Sequence, residues 1–494
     1  MGKLSRYIPL SLLAVVFTTV ATLNFAKTKE SSEGSALQVG VAEADITPPV
    51  GYPIAGYFHE RLATGTLDPL KAKAVVFHMG EEKAALVVCD FCSVSVDLAS
   101  AIRSRAEKET GIPAKNIVVS ATHSHTAPSY SKDLFQYLSG ELKDGDRADY
   151  ITKLIDGPVA AIVEADKSTQ RVTLEAGTAI QEEAIAFNRR SVLRDGSART
   201  WISQSDPKVV RDAGPIDPEV GLVMIRDQEK KPLGVLSNFA LHTDTVGGTK
   251  WSGDFPYYVE RAIRKKHGED VVSIFCQGAC GDINHVSRST KERNKTDFIG
   301  ESLGATILKK LGSLEPVEQS SLQVRSRIVK LPVREVTPQD LAEAKKVYDT
   351  LERKEKVDFY DTVRARQSDL RQYLRNGTSI NDGVGSRTWE KVGDALPVEV
   401  HTISIGRDLA IVCLPGEVFV DLGLAIKRGS PFRTTLIVEL SNCSETCYIP
   451  TRAAYAQGSY EVTNSAVKPG SGEMLVEAAL ELLREAASTD LEGE

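Results

Sequence analysis

A short β-branched strand that leads directly into two histidines is the feature that most constrains this chain. Residues 116–120, Asn-Ile-Val-Val-Ser, predict a buried strand. It continues into His123 and His125, and Pro128 then turns the chain. Residues i and i+2 of an extended chain share a face, so both imidazoles are predicted to face one cavity. This pattern suits a metal ligand beside a proton donor or acceptor, but two hydrogen-bonded loop histidines would give it too.

The composition is that of a large globular protein. The 494 residues are 41% hydrophobic and 26% charged, which is enough apolar sequence for an extensive core. The net charge is −7 and there is no long basic block. This argues against nucleic acid as a partner.

The N-terminal residues 1–26 have the pattern of a signal peptide or an N-terminal membrane anchor. Lys3 and Arg6 precede an apolar stretch at residues 8–23, and a polar linker follows at 27–36. We therefore expect an exported protein, either periplasmic, secreted or membrane-anchored by this segment. Peripheral contact with a membrane is a further expectation.

The remaining residues 37–494 alternate between predicted strands and helices. Helical patterns at Val94–Thr110 and Asp254–His267 each separate two apolar strand-like runs, which predicts an α/β fold. We expect mixed β-sheets flanked by helices in a single large catalytic domain. The charged stretch 338–376 predicts a helical insertion, which we interpret as a solvated hairpin.

Seven cysteines leave several possibilities open. Cys276 and Cys280, together with Cys443 and Cys447, resemble a four-cysteine zinc site. A disulfide or buried free thiols explain the same spacing, because the surrounding sequence is apolar.

Polar residues follow several of the predicted strands. The groups are His123, His242, the loop containing Asp282, and Glu417. Ligands of α/β sheets bind at the carboxyl ends of strands. Two histidines and a carboxylate from separate strands would suit a catalytic zinc ion, although manganese or iron would accept the same ligands.

The sequence resembles the catalytic domain of the neutral/alkaline non-lysosomal ceramidases. The matching segments occur in the family's order, from about residue 38 to the C-terminus. They are Val39-Gly40-Val41-Ala42-Glu43-Ala44-Asp45-Ile46-Thr47-Pro48, Gly56-Tyr57, Ser120-Ala121-Thr122-His123-Ser124-His125-Thr126-Ala127-Pro128, Phe187-Asn188-Arg189, Asn238-Phe239-Ala240-Leu241-His242, Gly281-Asp282-Ile283-Asn284, Pro415-Gly416-Glu417, Tyr448-Ile449-Pro450-Thr451 and Tyr460-Glu461.

The resemblance implies a Zn²⁺ cofactor and assigns roles to six positions. The implied zinc ligands are His123, His242, Glu417 and Tyr448, with Tyr455 as the alternative to Tyr448. It also implies that His125 and Arg189 assist at the substrate carbonyl or the developing oxyanion. Those roles are chemically coherent, since an imidazole exchanges a proton and a guanidinium stabilises negative charge.

The chain departs from the family in two respects. Asn284 occupies the position of a serine in the family's Gly-Asp-Val-Ser-Pro-Asn segment, and we interpret it as a hydrogen-bond donor to the substrate. The family's C-terminal immunoglobulin-like domain is also expected to be absent, because the chain ends soon after the last motif.

The resemblance implies an exported zinc-dependent amidohydrolase that uses metal-activated water. It would cleave an N-acyl amide, converting ceramide to a sphingoid base and a fatty acid. One alternative is a zinc hydrolase acting on a different amide or an ester. The other is a non-catalytic binding protein on the same scaffold, for which Asn284 is the main support.

Overall fold

The computed structural model describes residues 36–128, 132–141, 145, 147–290, 293–380 and 392–492. Within it, Ala36–Glu494 form one compact unit. The predicted leader 1–26 and nearly all of the linker 27–36 lie outside the described residues. No helix in the described ranges has the length and apolar character needed to cross a bilayer.

The strands and helices alternate along the chain as the sequence predicted. The strands are β1 (Gln38–Asp45), β2 (Gly65–Thr66), β3 (Lys71–Met79), β4 (Glu82–Cys89), β5 (Ile117–Ala121), β6 (Gln170–Arg171), β7 (Thr173–Ile180), β8 (Phe187–Asn188), β9 (Arg190–Leu193), β10 (Ala198–Thr200), β11 (Val209–Asp212), β12 (Glu219–Arg226), β13 (Pro232–Phe239), β14 (Lys250–Trp251), β15 (Val272–Gln277), β16 (Ile283–Asn284), β17 (Glu315–Pro316), β18 (Leu322–Pro332), β19 (Ala395–Ile405), β20 (Leu409–Cys413), β21 (Glu417–Val418), β22 (Thr434–Val438) and β23 (Tyr448–Ile449). The helices are α1 (Val96–Thr110), α2 (Lys132–Ser139), α3 (Ala148–Lys167), α4 (Phe255–His267), α5 (Thr296–Leu311), α6 (Pro338–Glu352), α7 (Phe359–Asn376), α8 (Val420–Gly429), α9 (Arg452–Gln457), α10 (Tyr460–Thr463) and α11 (Ser471–Glu492).

Three mixed sheets carry the architecture. Their strand orders are β5-β4-β3-β1-β6 in the first sheet, β15-β13-β12-β7-β17 in the second and β18-β19-β20-β22 in the third. Each sheet has one parallel pair at an edge, and the pairs are β4 with β5, β13 with β15, and β20 with β22. Parallel strands need a crossover connection, and α1, α4 and α8 provide the three crossovers.

Local sequence signals explain where the first crossover helix begins and ends. The Ser95 side chain accepts a hydrogen bond from the Leu98 backbone N–H and caps the N-terminus of α1. Gly111 ends the helix with a φ of 71°, a left-handed conformation that glycine adopts without a Cβ clash. The chain then returns into β5, all five residues of which are buried.

The three sheets share one buried interior. Val118 from the first sheet, Leu236 and Ile274 from the second, and Leu436 from the third belong to the same hydrophobic cluster. Burial of apolar surface at about 25 cal/mol per Å² makes such a cluster the main force that holds the sheets together. Because the sheets meet here, the carboxyl ends of their parallel strands approach one another.

The helices α6 and α7 confirm the predicted helical elements within 338–376, but the solvated interpretation is wrong for α7. Helix α6 buries only Ala344. Helix α7 buries one face, with Val363, Leu370 and Leu374 in the core cluster beneath the third sheet. Helix α7 is amphipathic, because only one stripe of its residues meets the core. Its many charged residues made the whole helix look solvated in the sequence.

The four-cysteine zinc site is wrong. All seven cysteines are free, and no group containing those four residues forms a metal cluster among the described residues. The Cys280 thiol donates to Glu439 Oε1 (3.0 Å), whereas Cys447 Sγ accepts from Gln367 Nε2 (3.2 Å). The two cysteine pairs are thus engaged with different neighbours.

Candidate metal centre

His123 and His125 come together, although not by the predicted geometry. Strand β5 ends at Ala121, and His123 has a φ of 69°, so the extended i, i+2 argument is wrong at this position. The two imidazole centroids are nevertheless 4.9 Å apart at an angle of 89°. Ser124 turns away and donates to the Ser252 carbonyl (2.6 Å). The left-handed turn at His123 therefore replaces the predicted extended segment.

Backbone carbonyls orient two of the imidazole rings. The Nδ1–H of His123 donates to the Cys92 carbonyl (2.7 Å), and the Nδ1–H of His242 donates to the Cys280 carbonyl (2.9 Å). We assign these tautomers because a carbonyl oxygen can only accept. Each ring consequently has its Nε2 lone pair on the side away from the carbonyl, as a metal-binding histidine requires, and in this structure Arg189 Nη1 lies 3.1 Å from the lone pair of His242.

Glu417 faces both of these nitrogens. Its Oε2 atom lies 3.4 Å from His123 Nε2 and 3.3 Å from His242 Nε2. This oxygen is buried and has no hydrogen-bond partner among the described residues. An unpartnered carboxylate oxygen opposite two imidazole lone pairs fits a divalent metal cation. The ligand atoms of the three residues lie within 4.8 Å of one another.

The electrostatics of these residues reflect their close approach. Burial opposes charge on His123, but the Glu417 carboxylate and the Cys92 side chain outweigh it and raise the pKa of this imidazole well above its usual value. Burial and Arg189 lower the pKa of His242 to about 3. Burial also opposes charge on Glu417, yet its histidine neighbours hold its pKa well below the usual range. The cluster therefore favours a negative carboxylate with positive charge beside it.

Tyr448 lies beside this cluster, and Tyr455 does not. Strand β21 pairs in parallel with β23 so that Glu417 is opposite Tyr448. The Tyr448 hydroxyl accepts a hydrogen bond from Arg189 Nη2 (3.0 Å). The Tyr455 hydroxyl instead donates to the Val467 carbonyl (2.7 Å). Of the two tyrosines considered from the sequence, Tyr448 is therefore the one that lies beside Glu417 and Arg189.

Arg189 is held over the cluster by a carboxylate that sequence reasoning did not assign. Its Nε donates to Glu461 Oε1 (2.8 Å), and its Nη1 lies 3.1 Å from His242 Nε2. Glu461 is fully buried and also accepts from Arg190 (3.1 Å) and Thr200 (2.7 Å). Two adjacent arginines in the sequence were the available signal, because buried guanidinium groups need an acidic partner.

His125 lies on the open side of the cluster. Its Nε2 is 3.4 Å from His123 Nε2, and its Nδ1 is 3.5 Å from Asp244 Oδ1. The Tyr57 hydroxyl donates to the same Asp244 oxygen (2.9 Å). Burial and the neighbouring His123 lower the pKa of His125 well below its usual value. Tyr57 and Asp244 are thus further site residues that the sequence analysis missed.

A glycine is required beside His125. Gly56 has a φ of 98°, and a Cβ at this position would lie 2.6 Å from His125 Cγ. Any other residue would strain the backbone and displace the imidazole. This close approach gives a physical reason for the Gly56-Tyr57 segment.

Asn284 and Asp282 have different surroundings although they are two residues apart. Asn284 lies on β16 and lines the cavity above the cluster. Its Oδ1 accepts a hydrogen bond from the Val286 N–H (3.1 Å), and its amide nitrogen takes no part in that bond. Asp282 accepts from Asn188 Nδ2 (2.7 Å) and the Val420 N–H (2.9 Å), and burial raises its pKa to about 6. Asp282 therefore links strand β8 to the first residue of helix α8.

A cavity of about 430 Å³ adjoins the cluster and is lined by His242, together with His125, Arg189 and Tyr448. Its lining also includes the aromatic side chains of Phe58, Trp201, Phe359 and Tyr460. Phe359 is the first residue of α7 and makes an edge contact with Phe58, with centroids 5.4 Å apart. Trp201 is 49% exposed and has a φ of 61°, a strained conformation of the kind found at functional sites. The cavity thus combines polar and aromatic side chains in one lining.

Fold and site together define an α/β protein with a candidate metal centre at converging strand ends and an aromatic substrate cavity. The chain belongs to the neutral/alkaline non-lysosomal ceramidase family, whose N-terminal domain it matches over residues 37–298. This confirms the resemblance inferred from the motifs. Membership of this family supports a ceramidase-like hydrolase that acts on an amide.

Solved structures of ceramidases have the same fold. The neutral ceramidase from Pseudomonas aeruginosa superposes with a TM-score of 0.67 at 20% identity, covering 91% of this chain and 75% of that one. A ceramidase complexed with C2 superposes with a TM-score of 0.66 at 19% identity, covering 92% of this chain and 76% of that one. The predicted α/β fold with mixed sheets is therefore confirmed. Comparison with curated protein sequences found no match.

Proposed function

We propose that this protein is a zinc-dependent amidohydrolase that cleaves the N-acyl amide bond of ceramide or a closely related lipid amide. The observation that carries the proposal is the unpartnered Glu417 Oε2, which faces two imidazole Nε2 atoms, one of them from His242 in the lining of an aromatic cavity. Family membership supports the amide chemistry, and the donor set supports the metal.

His123, His242 and Glu417 would hold the zinc ion, with the Tyr448 hydroxyl as the fourth ligand. A zinc ion bound there would polarise the amide carbonyl and lower the pKa of a water molecule to about 7. Two nitrogen donors with carboxylate and phenol oxygens are ligands that zinc accepts.

Arg189 and His125 supply the remaining chemistry. Arg189 lies 3.1 Å from His242 Nε2 and is held in position by Glu461, so its guanidinium would stabilise the negative charge that develops on the amide oxygen. His125 takes a proton from the attacking water and delivers it to the leaving nitrogen, which departs as an amine. Its Nδ1 faces Asp244, which stabilises the imidazolium formed between these two transfers.

The cavity wall supports a lipid amide as the substrate. The aromatic side chains Phe58, Trp201 and Phe359 would contact an apolar chain, and burying such a chain contributes about 0.8 kcal/mol per CH₂ group. Asn284 would donate a hydrogen bond from its amide to the polar part of the substrate, in place of the serine of the related proteins.

We further propose that the protein is exported, as the pattern of residues 1–26 indicates. Its site would then meet substrate at or outside the membrane surface. Fractionation of cells that express the full chain tests this directly. Recovery in the cytoplasmic fraction would rule export out.

The first experiment measures metal content and turnover on one preparation of purified protein. Elemental analysis determines the zinc content, and fatty-acid release from a fluorescent ceramide is followed with and without a chelator. We expect about one zinc per chain, release that stops with chelator, and recovery on adding zinc back. A short-chain amide and a matched ester serve as comparison substrates.

Each alternative function predicts a different result. Zinc with no ceramide turnover but cleavage of the short amide or the ester would indicate a hydrolase for another substrate. Ceramide binding without release, unaffected by the chelator, would indicate a binding protein. Asn284→Ser is the informative variant, because a binding protein that lost its activity through Asn284 would regain turnover.

A further inference from the structure

A second polar cavity lies away from the candidate metal centre, against the two helices α6 and α7. It has a volume of about 260 Å³. Its charged lining comes from both helices and from Arg334, which follows the third sheet. We name it the arginine crevice and define it by Arg334, Asp340, Glu343, Arg364 and Arg371.

Arg371 is the unusual member of the arginine crevice. The residue is 9% exposed, and its buried Nε has no hydrogen-bond partner. No hydrogen bond or ion pair joins its guanidinium to another residue in the described part of the chain. An unpaired buried charge is costly, so a native structure is expected to satisfy it by some other means.

A second arginine, Arg334, lines the same crevice as Arg371. Arg334 Nη1 donates to the Val462 carbonyl (2.7 Å) and the Ser465 carbonyl (3.2 Å), which are neutral partners. Burial, together with the charge of Arg334, lowers the pKa of Arg371 to about 10. Two guanidinium groups therefore lie near each other without a carboxylate bonded to either.

Three carboxylates, those of Asp340, Glu343 and Asp361, also line the crevice, and the charge of Asp340 acts on both Arg371 and Arg334. Each of the three nevertheless accepts its hydrogen bonds from another residue. Asp340 accepts from the Thr337 backbone N–H (2.8 Å) and hydroxyl (2.7 Å), where it completes the capping box of α6. Glu343 accepts from Gln339 Nε2 (3.0 Å). Arg364 is paired with Asp361. These contacts leave Arg371 and Arg334 as the groups able to bind an added ligand.

We propose that the arginine crevice binds a phosphate group between Arg371 and Arg334. Phosphate oxygens would supply the acceptors that the Arg371 guanidinium lacks, because its planar fork matches them in a bidentate arrangement. The cavity is large enough to admit a phosphate together with part of the molecule that carries it. A free phosphomonoester and the headgroup of a phospholipid share this chemistry. The proposal is independent of the metal centre and of the proposed hydrolase function.

Titration calorimetry of the full-length protein with inorganic phosphate tests the proposal at constant ionic strength. We expect saturable binding at one site, weakened at least 10-fold in Arg371→Gln. Arg375→Gln is the matched control, because Arg375 lies on the same helix but pairs with Asp394 outside the crevice. It should bind phosphate like the unaltered protein. Arg371→Lys, which keeps the charge but not the fork, should be intermediate and replaces Arg371→Gln should that variant not fold.

Two results would overturn the proposal. One is the absence of saturable phosphate binding. The other is equal binding by Arg371→Gln and the unaltered protein, as phosphate bound at the metal centre would give. Flotation with vesicles of phosphatidylcholine, with or without phosphatidic acid, then identifies the source. Flotation that requires both phosphatidic acid and Arg371 supports a headgroup, whereas phosphate binding without flotation supports a soluble phosphomonoester.

Discussion

The candidate metal centre and the arginine crevice both bury charged groups, but they differ in whether those charges are paired within the chain. At the metal centre Arg189 and Arg190 share the carboxylate of Glu461, and Glu417 faces His123 and His242. In the crevice Arg371 has no such partner. The first site has its charges paired within the chain, apart from one carboxylate oxygen.

The difference follows from the elements that carry the two sites. The metal-centre residues lie at the ends of strands from three sheets, where backbone pairing sets their positions. The crevice lies between two helices and a chain segment, held together mainly by side-chain packing. A preorganised cluster suits catalysis, whereas an unpaired guanidinium group suits the binding of an anion.

Removal of a metal-centre histidine should have the largest effect. We expect His242→Ala to lose bound zinc and to lower turnover by at least about 1,000-fold, equivalent to about 4 kcal/mol. Elemental analysis and ceramide turnover on the same sample measure both. His267→Ala, on the exposed side of α4, is the control and should leave both unchanged. Full turnover by zinc-free His242→Ala would show that the reaction does not need the metal.

Loss of the buried counter-charge should have the next largest effect. Glu461→Gln keeps the size of the side chain but leaves Arg189 and Arg190 without a carboxylate. We expect kcat to fall about 100-fold, because misplacing one oxyanion donor costs about that much. Zinc content should not change. Glu343→Gln in the crevice is the control, and a similar fall in kcat there would contradict a specific role for Glu461.

The helix that carries Arg371 also contributes to the substrate cavity through Phe359. Phe359→Ala should lower kcat/KM for a long-chain ceramide about 10-fold, since a partly buried phenyl ring contributes about 1.4 kcal/mol. A short-chain substrate should be affected less. Leu351→Ala, an exposed apolar residue of α6, is the matched control. Equal losses on long and short substrates would exclude a chain-binding role for Phe359.

The smallest effect is expected at the crevice in the absence of phosphate. Arg371→Leu should raise the free energy of unfolding by about 1 kcal/mol, because it removes an unpaired buried charge. Arg375→Leu, which breaks a largely exposed ion pair, should change it by no more than about 0.5 kcal/mol. Urea unfolding in phosphate-free buffer measures both. Strong destabilisation by Arg371→Leu would show that its charge is already satisfied within the chain.

Much of the fold could be predicted from local sequence signals. The β-branched run that became β5 and the capped helix α1 were predictable because each depends on neighbouring residues. The same is true of the polar residues after strands, since strand ends are visible as breaks in apolar runs. The roles assigned to His125, Arg189, Asn284 and the metal ligands stay predictions until turnover is measured.

Other features depended on contacts that no local pattern shows. Glu461 lies 272 residues from Arg189, and only the folded chain brings its carboxylate to that guanidinium. The left-handed backbone at His123 was also missed, because the expectation of an extended chain ignored the bend after β5. The amphipathic packing of α7 was hidden by its charged residues.

The sequence by itself determined the family, the α/β alternation and the positions of the polar residues at strand ends. These follow from motifs and from periodicities that extend over a few residues. Only the tertiary structure decided that Tyr448 rather than Tyr455 lies beside Glu417, that Phe359 lines the cavity and that Arg371 lacks a partner. The physical reason is that pairing and burial depend on which distant segments meet in the fold, and that is settled by packing of the three sheets and their helices.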